Sequence, residues 1–421
     1  MNFGRKRQEA IYVAGFAGRR PVVPTAPKTL EQAALTMLNK NAAAYFAGGA
    51  GLERTIAANE AAFDRHGIVQ RMMRDVSARD LSVTLFGRTL PLPLLLAPIG
   101  VLEMAHREAD IAAAQAAASA GIPFITSSQA SRTMEQVAAA SGAGPRWFQL
   151  YWSSRNELTE SFIDRAERSG YEAIVVTLDT TMLGWRNRDL DRGYLPFLRG
   201  RGIANYVSDP VFQSLSVDHA AMPKPRPGLG LIWSLLEFLS AYPRGSAQRL
   251  APSAALASVR RFLAIYSRPD LTWEDLPFLR ARTRLPLLLK GIVHPDDARQ
   301  AIAAGMDGII VSNHGGRQVD GAVAALDALP RVVDAVAGQI PVLFDSGIRT
   351  GSDVLKALCL GAAAVLIGRP YIWGLALAGR AGVADVISNL AAELDLTMGL
   401  SGRRTTAELG PDVIRLAPGR H

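Results

Sequence analysis

The sequence predicts an α/β fold, a closed (β/α)8 or TIM barrel with an N-terminal helical segment and a long insertion after the fourth strand. Three observations predict it: eight short apolar runs, amphipathic stretches between them, and polar or glycine residues where most runs end. Runs that are apolar on both faces are typical of parallel strands covered by helices. Eight strand–helix units favour a closed barrel over an open sheet.

The barrel is predicted to span residues 91–421. Helical segments such as the amphipathic stretch Asn156–Ser169 alternate with its strands. The eight predicted strands are Leu92–Ile99, Phe124–Ser128, Trp147–Trp152, Ala173–Asp179, Leu285–Ile292, Gly308–His314, Pro341–Gly347 and Ala364–Pro370.

Two regions fall outside this repeat. Residues 1–90 precede the first strand and are expected to form a helical cap. Residues 203–269 separate the fourth and fifth strands, and long insertions in compact domains are usually functional or disordered. We interpret this insertion as an active-site lid, with a surface contact between protein copies as the alternative. Its middle is predicted to be a loop because of Pro223, Pro225, Pro227, Gly228 and Gly230.

Composition narrows the class of protein. The chain has 421 residues, of which 49% are hydrophobic and 20% charged, as in ordinary globular enzymes. Cys359 is the only cysteine, which excludes an intrachain disulfide and a cysteine-based metal site and fits a cytoplasmic location. The formal charge is +8, but the arginines are scattered, which argues against nucleic acid as a partner. No apolar run of 18 residues is present, so no membrane span is expected.

Polar residues cluster at the carboxyl ends of the predicted strands, where a barrel of this type builds its active site. A single such residue could merely end a strand, but six such strand ends favour a site. These residues are Ser127, Ser128, Gln149, Thr177, Asp179, Lys290, His314 and Asp345.

The last two strands each lead into a glycine followed closely by an arginine. Gly347 precedes Arg349, and Gly368 precedes Arg369. Glycine lets backbone N–H groups approach an anion, and arginine adds a bidentate cation. Loops after strands seven and eight are the usual phosphate site of this fold. The alternative is a pair of glycine turns with surface arginines. No G-x-G-x-x-G follows the first strand, so one phosphate site suits FMN better than NAD.

The segment Ser312–Gln318, SNHGGRQ, is the most distinctive in the chain. It places His314 at the mouth of strand six and Arg317 three residues later. Histidine can accept a proton near neutral pH, and arginine suits a carboxylate. The other histidines are interpreted as structural.

The run SNHGGRQVDG resembles the signature of the FMN-dependent 2-hydroxy-acid dehydrogenases and oxidases, the family of glycolate oxidase and lactate oxidase. The resemblance extends from YFAGGA, which begins at Tyr45, to LTM, which ends at Met398. Within that family the segments LAPIGV, GWRNRDL, LPFLRG and NYVSDPVFQ are similar to lactate 2-monooxygenase. The resemblance implies FMN, oxidation of a small anionic L-2-hydroxy acid to the 2-keto acid, oxygen as acceptor, and a homo-oligomer, by analogy a tetramer. Oxidative decarboxylation is the outcome implied by the monooxygenase.

Roles carried over by this resemblance divide into three groups. His314 is the implied base, Asp179 its orienting carboxylate, and Tyr151 and Lys290 the other catalytic groups. An aspartate beside a histidine raises the histidine pKa. The implied substrate-binding residues are Tyr45, Arg186, Arg317, Tyr206 and Gln129. The implied FMN-binding residues are Pro98, Ile99, Gly100, Ser127, Gln149, Thr177, Lys290, Ser312, Asp345, Gly347, Arg349, Gly368 and Arg369.

Two positions depart from the family pattern. Gly100 stands where many of the oxidases have alanine, so a simple peroxide-releasing oxidase is not assumed. Gln129 stands where relatives carry an aromatic or aliphatic residue; either it faces a polar or larger acid, or it turns away from the site. The alternatives are a dehydrogenase with a quinone or protein acceptor and an oxidase of a larger or polar 2-hydroxy acid. Two further alternatives are an FMN-dependent isomerase and a basic binding protein without activity.

Overall fold

A computed structural model describes residues 3–216, 229–243 and 252–416. Eight parallel strands close into a barrel in which each strand pairs with the next and the eighth with the first. The barrel strands are Leu94–Leu96, Phe124–Ser127, Arg146–Leu150, Ile174–Thr177, Leu287–Ile292, Gly308–Val311, Val342–Phe344 and Ala364–Ile367. The predicted fold and all eight strands are confirmed. Four of the predicted polar residues lie in the carboxyl-terminal halves of their strands and four follow the strand ends, so all of them lie at the carboxyl mouth.

The amino end of the barrel is closed by a β-hairpin, Val83–Leu85 paired with Arg88–Leu90. Its two turn residues, Phe86 and Gly87, both have positive φ, 49° and 77°, as a tight hairpin turn requires. The Phe86 ring lies 5.7 Å from the Trp147 ring. Inside the barrel, alternate strand side chains form a dry apolar cluster above the hairpin. Apolar packing therefore fills the amino end of the barrel, and the carboxyl end remains available for a site.

Helices surround the barrel and cover its carboxyl mouth. Their bounds are Phe3–Phe16, Pro27–Met37, Lys40–Ala47, Arg54–Asp64, Ala109–Ala120, Met134–Ser141, Asn156–Arg168, Asn187–Leu190, Ala204–Val207, Pro210–Ser214, Leu229–Ala241, Pro252–Ile265, Leu276–Arg280, Pro295–Ala303, Ala325–Val336, Gly351–Cys359 and Arg369–Leu400.

The proposed N-terminal unit, residues 1–90, packs directly on the barrel. It contains four of these helices, but also the hairpin and the strand His66–Ile68, which pairs with Ile414–Leu416. An entirely helical cap is therefore too simple. The buried carboxylate of Asp395 fastens this unit to the last helix, because it accepts hydrogen bonds from Gly4 N at 2.8 Å and from Arg79 Nε at 2.7 Å.

The described part of the insertion is mostly helical. Gly230 lies inside the helix Leu229–Ala241, which contradicts the loop prediction at that residue. The predicted loop positions 223–228 lie outside the described residues. The helix Pro252–Ile265 packs its Phe262 ring on Tyr206, with centroids 4.7 Å apart, and so ties the insertion to the barrel mouth.

The helix Arg369–Leu400 is long and apolar enough to cross a membrane by length and composition alone. Half of its most apolar window is buried inside the fold, and the helix is kinked at Ala378 and Gly379. It packs against the barrel helices Ala109–Ala120 and Gly351–Cys359. Its apolar character is accounted for by this packing.

Candidate active site

A cavity of about 1110 Å³, including its open entrance, occupies the carboxyl mouth of the barrel. Most of the predicted site residues line it. Those residues are Tyr45, Pro98, Ile99, Gly100, Gln129, Gln149, Tyr151, Thr177, Arg186, Lys290, His314, Arg317, Asp345, Gly347, Arg349, Gly368 and Arg369.

His314 and Asp179 form a buried pair at this mouth. His314 Nδ1 lies 2.7 Å from Asp179 Oδ1, and Thr180 Oγ1 lies 3.2 Å from the same nitrogen. The His314 backbone has a φ of 58°, a left-handed conformation that is uncommon for histidine, and its N–H donates to Ser312 Oγ at 3.0 Å. Because Nδ1 is engaged by the carboxylate, Nε2 is the nitrogen left to accept a proton in the cavity.

Burial controls the protonation of this pair. Burial, together with the charges of Lys290 and Arg186, lowers the pKa of His314 more than the charge and hydrogen bond of Asp179 raise it. The expectation that Asp179 raises the histidine pKa is confirmed for its own contribution, and burial by the surrounding fold reverses the net direction. Burial alone would raise the pKa of Asp179, but His314, Lys290 and Thr180 together hold it below its usual value. A neutral imidazole beside an ionised carboxylate is poised to act as a base.

Two arginines near His314 donate hydrogen bonds to uncharged oxygen atoms. Arg186 donates to Gln318 Oε1 at 2.8 Å, and Arg317 donates to the Gly48 carbonyl at 2.7 Å. Burial, followed by repulsion from Arg317, lowers the pKa of Arg186 to about 10. Across residues 3–216, 229–243 and 252–416, no carboxylate forms an ion pair with either guanidinium. A bound carboxylate would relieve this charge and accept paired hydrogen bonds.

Two tyrosines complete this half of the cavity. The Arg317 guanidinium lies 5.0 Å from the ring centroid of Tyr45. Burial raises the pKa of Tyr45, and it raises the pKa of Tyr151 to about 12. Both phenols therefore stay protonated at neutral pH and can donate hydrogen bonds to an acid.

A chain of polar side chains crosses the ends of strands two to four. Ser127 Oγ donates to Gln149 Oε1 at 2.8 Å, and Gln149 Nε2 donates to Thr177 Oγ1 at 2.9 Å. Strand register causes this contact, because Ser127 pairs with Gln149 on neighbouring strands. The bonds fix the Gln149 amide, so its orientation toward a ligand is set in advance.

Lys290 carries a charge inside the cavity wall. Its Nζ lies 3.0 Å from Asp345 Oδ2 and donates to Ser312 Oγ at 2.8 Å. Burial would lower the pKa of Lys290, but Asp345 and Asp179 more than offset that effect and the net pKa is raised. The ammonium is therefore retained at neutral pH.

The ends of strands seven and eight form a second cationic region. Arg369 donates to the carbonyls of Phe46 and Gly315 at 3.0 and 2.9 Å, and Arg349 pairs with Glu60 at 2.7 Å. Burial, then repulsion from Arg317 and Arg349, lowers the pKa of Arg369 to about 9. Beside Arg369, a Cβ on Gly368 would meet only Ile99 Cδ1 at 3.8 Å, so a ligand can approach this backbone.

Four predicted residues do not line the cavity. Asp179, Ser127 and Ser312 lie behind it and bond to His314, Gln149 and Lys290. Tyr206 is fully buried, and its ring packs on Phe162, Phe212 and Phe262. Because this ring is enclosed by the aromatic cluster, its placement does not support a direct substrate contact. Tyr206 instead supports the cavity wall from behind.

Sequence reasoning missed several contributors to the site. Gln318 links Arg186 to the backbone of Asp179, with Nε2 donating to the Asp179 carbonyl at 2.8 Å. Its position next to Arg317 in SNHGGRQ was a signal for it. Leu183, Phe197 and Tyr266 also line the cavity. Phe197 stands in LPFLRG, one of the segments that carry the resemblance, whereas no local pattern marks Leu183 or Tyr266, which come from a loop and the insertion.

Comparison with known proteins agrees with this geometry. The chain matches the FMN-dependent dehydrogenase family over residues 34–416. It is 43% identical to an FMN-dependent alpha-hydroxy acid dehydrogenase of Penicillium citrinum, covering 99% of this chain and 96% of that protein. It is also 43% identical to an L-lactate oxidase of Lysinibacillus sphaericus, covering 89% and 88%. A structure of mandelate oxidase with (S)-4-hydroxymandelic acid matches with a TM-score of 0.76 and 35% identity, covering 94% of this chain and 99% of that one.

The fold and the site define an FMN-dependent oxidoreductase. The chain belongs to the FMN-dependent dehydrogenase family, whose relatives here are 2-hydroxy-acid oxidases and dehydrogenases.

The residues present fit FMN. The open backbone at Gly368 and the buried Arg369, whose pKa is lowered by burial and by repulsion from Arg317 and Arg349, suit the phosphate. Gln149 and Thr177 offer oriented polar atoms for the ring edge, and Lys290 offers a cation. A cation near the flavin pyrimidine favours the reduced, anionic form.

Proposed function

We propose that this enzyme oxidises an L-2-hydroxy acid to the 2-keto acid, with His314 as the base and oxygen as the acceptor. The observation that carries the proposal is the buried His314–Asp179 pair, 2.7 Å apart, in one cavity with Arg186 and Arg317. When bound, FMN supplies the acceptor for the α-hydrogen and its electron pair.

The chain's own residues bind the acid and move one proton. Arg186 and Arg317 take the carboxylate, and the Tyr151 phenol meets the substrate oxygens. This places the hydroxyl within reach of His314, which accepts its proton on Nε2. Asp179 remains ionised and stabilises the imidazolium that forms. These roles rest on the cavity geometry and on the family resemblance.

The test of the base is His314→Ala. Because the residues proposed to hold the phosphate lie elsewhere, the variant should keep FMN, but reduction of the flavin by substrate should slow by about 10²–10⁴-fold, as expected for loss of a general base. Anaerobic stopped-flow absorbance measures this rate.

The matched control is His294→Ala. His294 also has an acidic neighbour, with Nδ1 3.7 Å from Asp296 Oδ2, but its side chain is 63% exposed and does not line the cavity. Its loss should leave flavin reduction unchanged. Near-normal reduction in His314→Ala would overturn the proposed base.

The acceptor and products are tested with the reduced enzyme. We expect oxygen to reoxidise it rapidly. Release of the 2-keto acid with peroxide would identify an oxidase, whereas acetate from L-lactate would identify a monooxygenase, the branch to which the sequence segments are similar. The branch depends on whether the keto acid leaves before it reacts. Reoxidation only by a quinone or an artificial acceptor would show that the enzyme is a dehydrogenase.

Homo-oligomeric assembly and a cytoplasmic location stay predictions.

A further inference from the structure

One wall of the cavity combines aromatic and aliphatic side chains with a single amide. Gln129, Leu183, Phe197 and Tyr266 line it. The ring centroids of Phe197 and Tyr266 are 6.3 Å apart, and Phe262 backs both at 5.2 and 5.0 Å. The wall is therefore held by the insertion helix Pro252–Ile265, which carries Phe262.

Gln129 lies against the same wall. A Cβ built on Gly202 would lie 3.0 Å from the Gln129 carbonyl oxygen and 3.2 Å from Phe197 Cε1, so the two residues meet at this glycine. A Cβ on Gly100 would lie 3.6 Å from Gln129 Oε1. Gln129 thus faces the cavity beside Gly100 rather than turning away from it.

The Gln129 side chain is available to a ligand. Its backbone N–H donates to Ser127 Oγ at 3.1 Å, but its side-chain amide bonds to no residue in the described ranges. The residue is only 7% exposed. The amide atoms are not among the fully buried unpartnered atoms of the described residues, so the cavity reaches them and a hydrogen-bonding group of a ligand can contact them.

The wall also adjoins the carboxylate-binding arginines. Burial raises the pKa of Tyr266, whereas the positive charge of Arg186 lowers it. An acid whose carboxylate rests on Arg186 would therefore direct its side chain along Tyr266, Phe197 and Gln129.

We propose that the preferred substrate is a 2-hydroxy acid with an aromatic side chain that carries a neutral hydrogen-bonding group. The ring packs on Phe197 and Tyr266, and the polar group bonds to the Gln129 amide. A methyl group would leave this apolar wall uncovered, whereas a ring buries a large area against it. An amide offers a donor and an acceptor but no charge, which suits a phenol better than a second carboxylate. The inference rests on the proposed function.

The experiment uses the FMN-loaded enzyme and acids that differ in one group. L-lactate, (S)-mandelate, (S)-4-hydroxymandelate, L-3-phenyllactate and L-3-(4-hydroxyphenyl)lactate are mixed anaerobically with it, and Kd and the limiting rate of flavin reduction are measured separately. At least one hydroxyaryl acid should bind about tenfold more tightly than its unsubstituted partner, and both more tightly than lactate.

Gln129→Met keeps the length of the side chain but removes the amide. It should abolish the roughly tenfold advantage of the phenolic acid and bring its Kd to that of its unsubstituted partner. The matched control is Gln115→Met, on the outer helix Ala109–Ala120, which should change neither.

The outcomes separate the two proposals. Tighter binding and faster reduction by lactate than by every aryl acid would overturn the inference and leave the proposed function standing. Equal losses for all acids in Gln129→Met would also overturn it, because they would indicate a purely structural role. Failure of every acid to reduce the bound FMN would overturn the proposed function and the inference with it.

Discussion

His314, the proposed base, is held in place by a left-handed backbone and a buried carboxylate. Its φ of 58° costs on the order of 1–3 kcal/mol, which the surrounding structure must supply. Its N–H is held by Ser312 Oγ, and the following Gly315 N–H is held by Ser346 Oγ at 3.0 Å. Ser346 is also left-handed, with a φ of 85°. Strained non-glycine residues of this kind cluster at functional sites.

The pH dependence follows from the same pair. Because the pKa of His314 lies below its ordinary value, the base is already deprotonated at neutral pH, and the second-order rate of flavin reduction should fall only as pH drops through that pKa. Asp179→Asn removes a contribution that raises the pKa, so this acid limb should move to lower pH. The maximal rate should fall about 10²-fold or more, because the imidazolium loses its counter-charge. Stopped-flow reduction across pH measures both effects.

Asp296→Asn is the control, because Asp296 is an exposed aspartate that also neighbours a histidine. It should change neither the acid limb of the pH profile nor the maximal rate of flavin reduction. A limb that moves to higher pH in Asp179→Asn would contradict the assigned direction.

At the residue scale the sequence indicated which residues form the site but not the protonation state of the histidine. SNHGGRQ marked His314 and Arg317, and the polar strand ends marked Lys290 and Asp345. The direction of the His314 pKa could not be predicted, because it depends on burial by segments far away in sequence.

The hairpin of Val83–Leu90 shows how separate elements divide stability from catalysis. Its turn residue Phe86 packs on Trp147 at the amino end of the barrel. Gly308, the first residue of strand six, lies against the Phe86 ring. The cavity is at the opposite end, so this packing can be changed without touching the site.

Phe86→Ala should lower the free energy of unfolding by about 2 kcal/mol, because it leaves a cavity under the barrel. Alanine is strained at this left-handed position as phenylalanine is, so the change isolates the ring. Flavin reduction should be unaffected. Denaturant unfolding and stopped-flow reduction measure the two quantities.

Phe16→Ala is the control, because Phe16 is 97% exposed and its ring should contribute little. Impaired flavin reduction with unchanged stability in Phe86→Ala would show that the hairpin acts on the site.

The insertion is the element least visible in the sequence. The loop predicted at its prolines lies outside the described residues, and its described part contributes helices and the wall residue Tyr266. The packing of Phe262 on Phe197 and Tyr206 decides this placement. Closure over the substrate stays a prediction.

For the whole molecule, the distribution of charge explains the affinity expected for a dianion. The formal charge is +8, and Arg349 and Arg369 bring part of it to the loops after strands seven and eight. Arg349→Met should weaken FMN binding about 10–100-fold, because a charged hydrogen bond is lost, and should leave riboflavin binding unchanged. Titration of the apoprotein with each flavin, followed by fluorescence, measures both affinities.

Arg299→Met, at an exposed arginine outside the cavity, is the control. Equal weakening of FMN and riboflavin by Arg349→Met would show that Arg349 acts on the fold rather than on the phosphate.

The sequence alone determined the barrel, its eight strands, FMN and the residues at the strand ends. Buried parallel strands read as continuous apolar runs, and the residues that follow them reach one mouth whatever the surrounding helices do. Only the tertiary structure decided that Tyr206 stands behind the wall, that Gln129 faces the cavity, and that Phe197 and Tyr266 complete it. Contacts between segments far apart in the chain set those positions, and local pattern carries no record of such contacts.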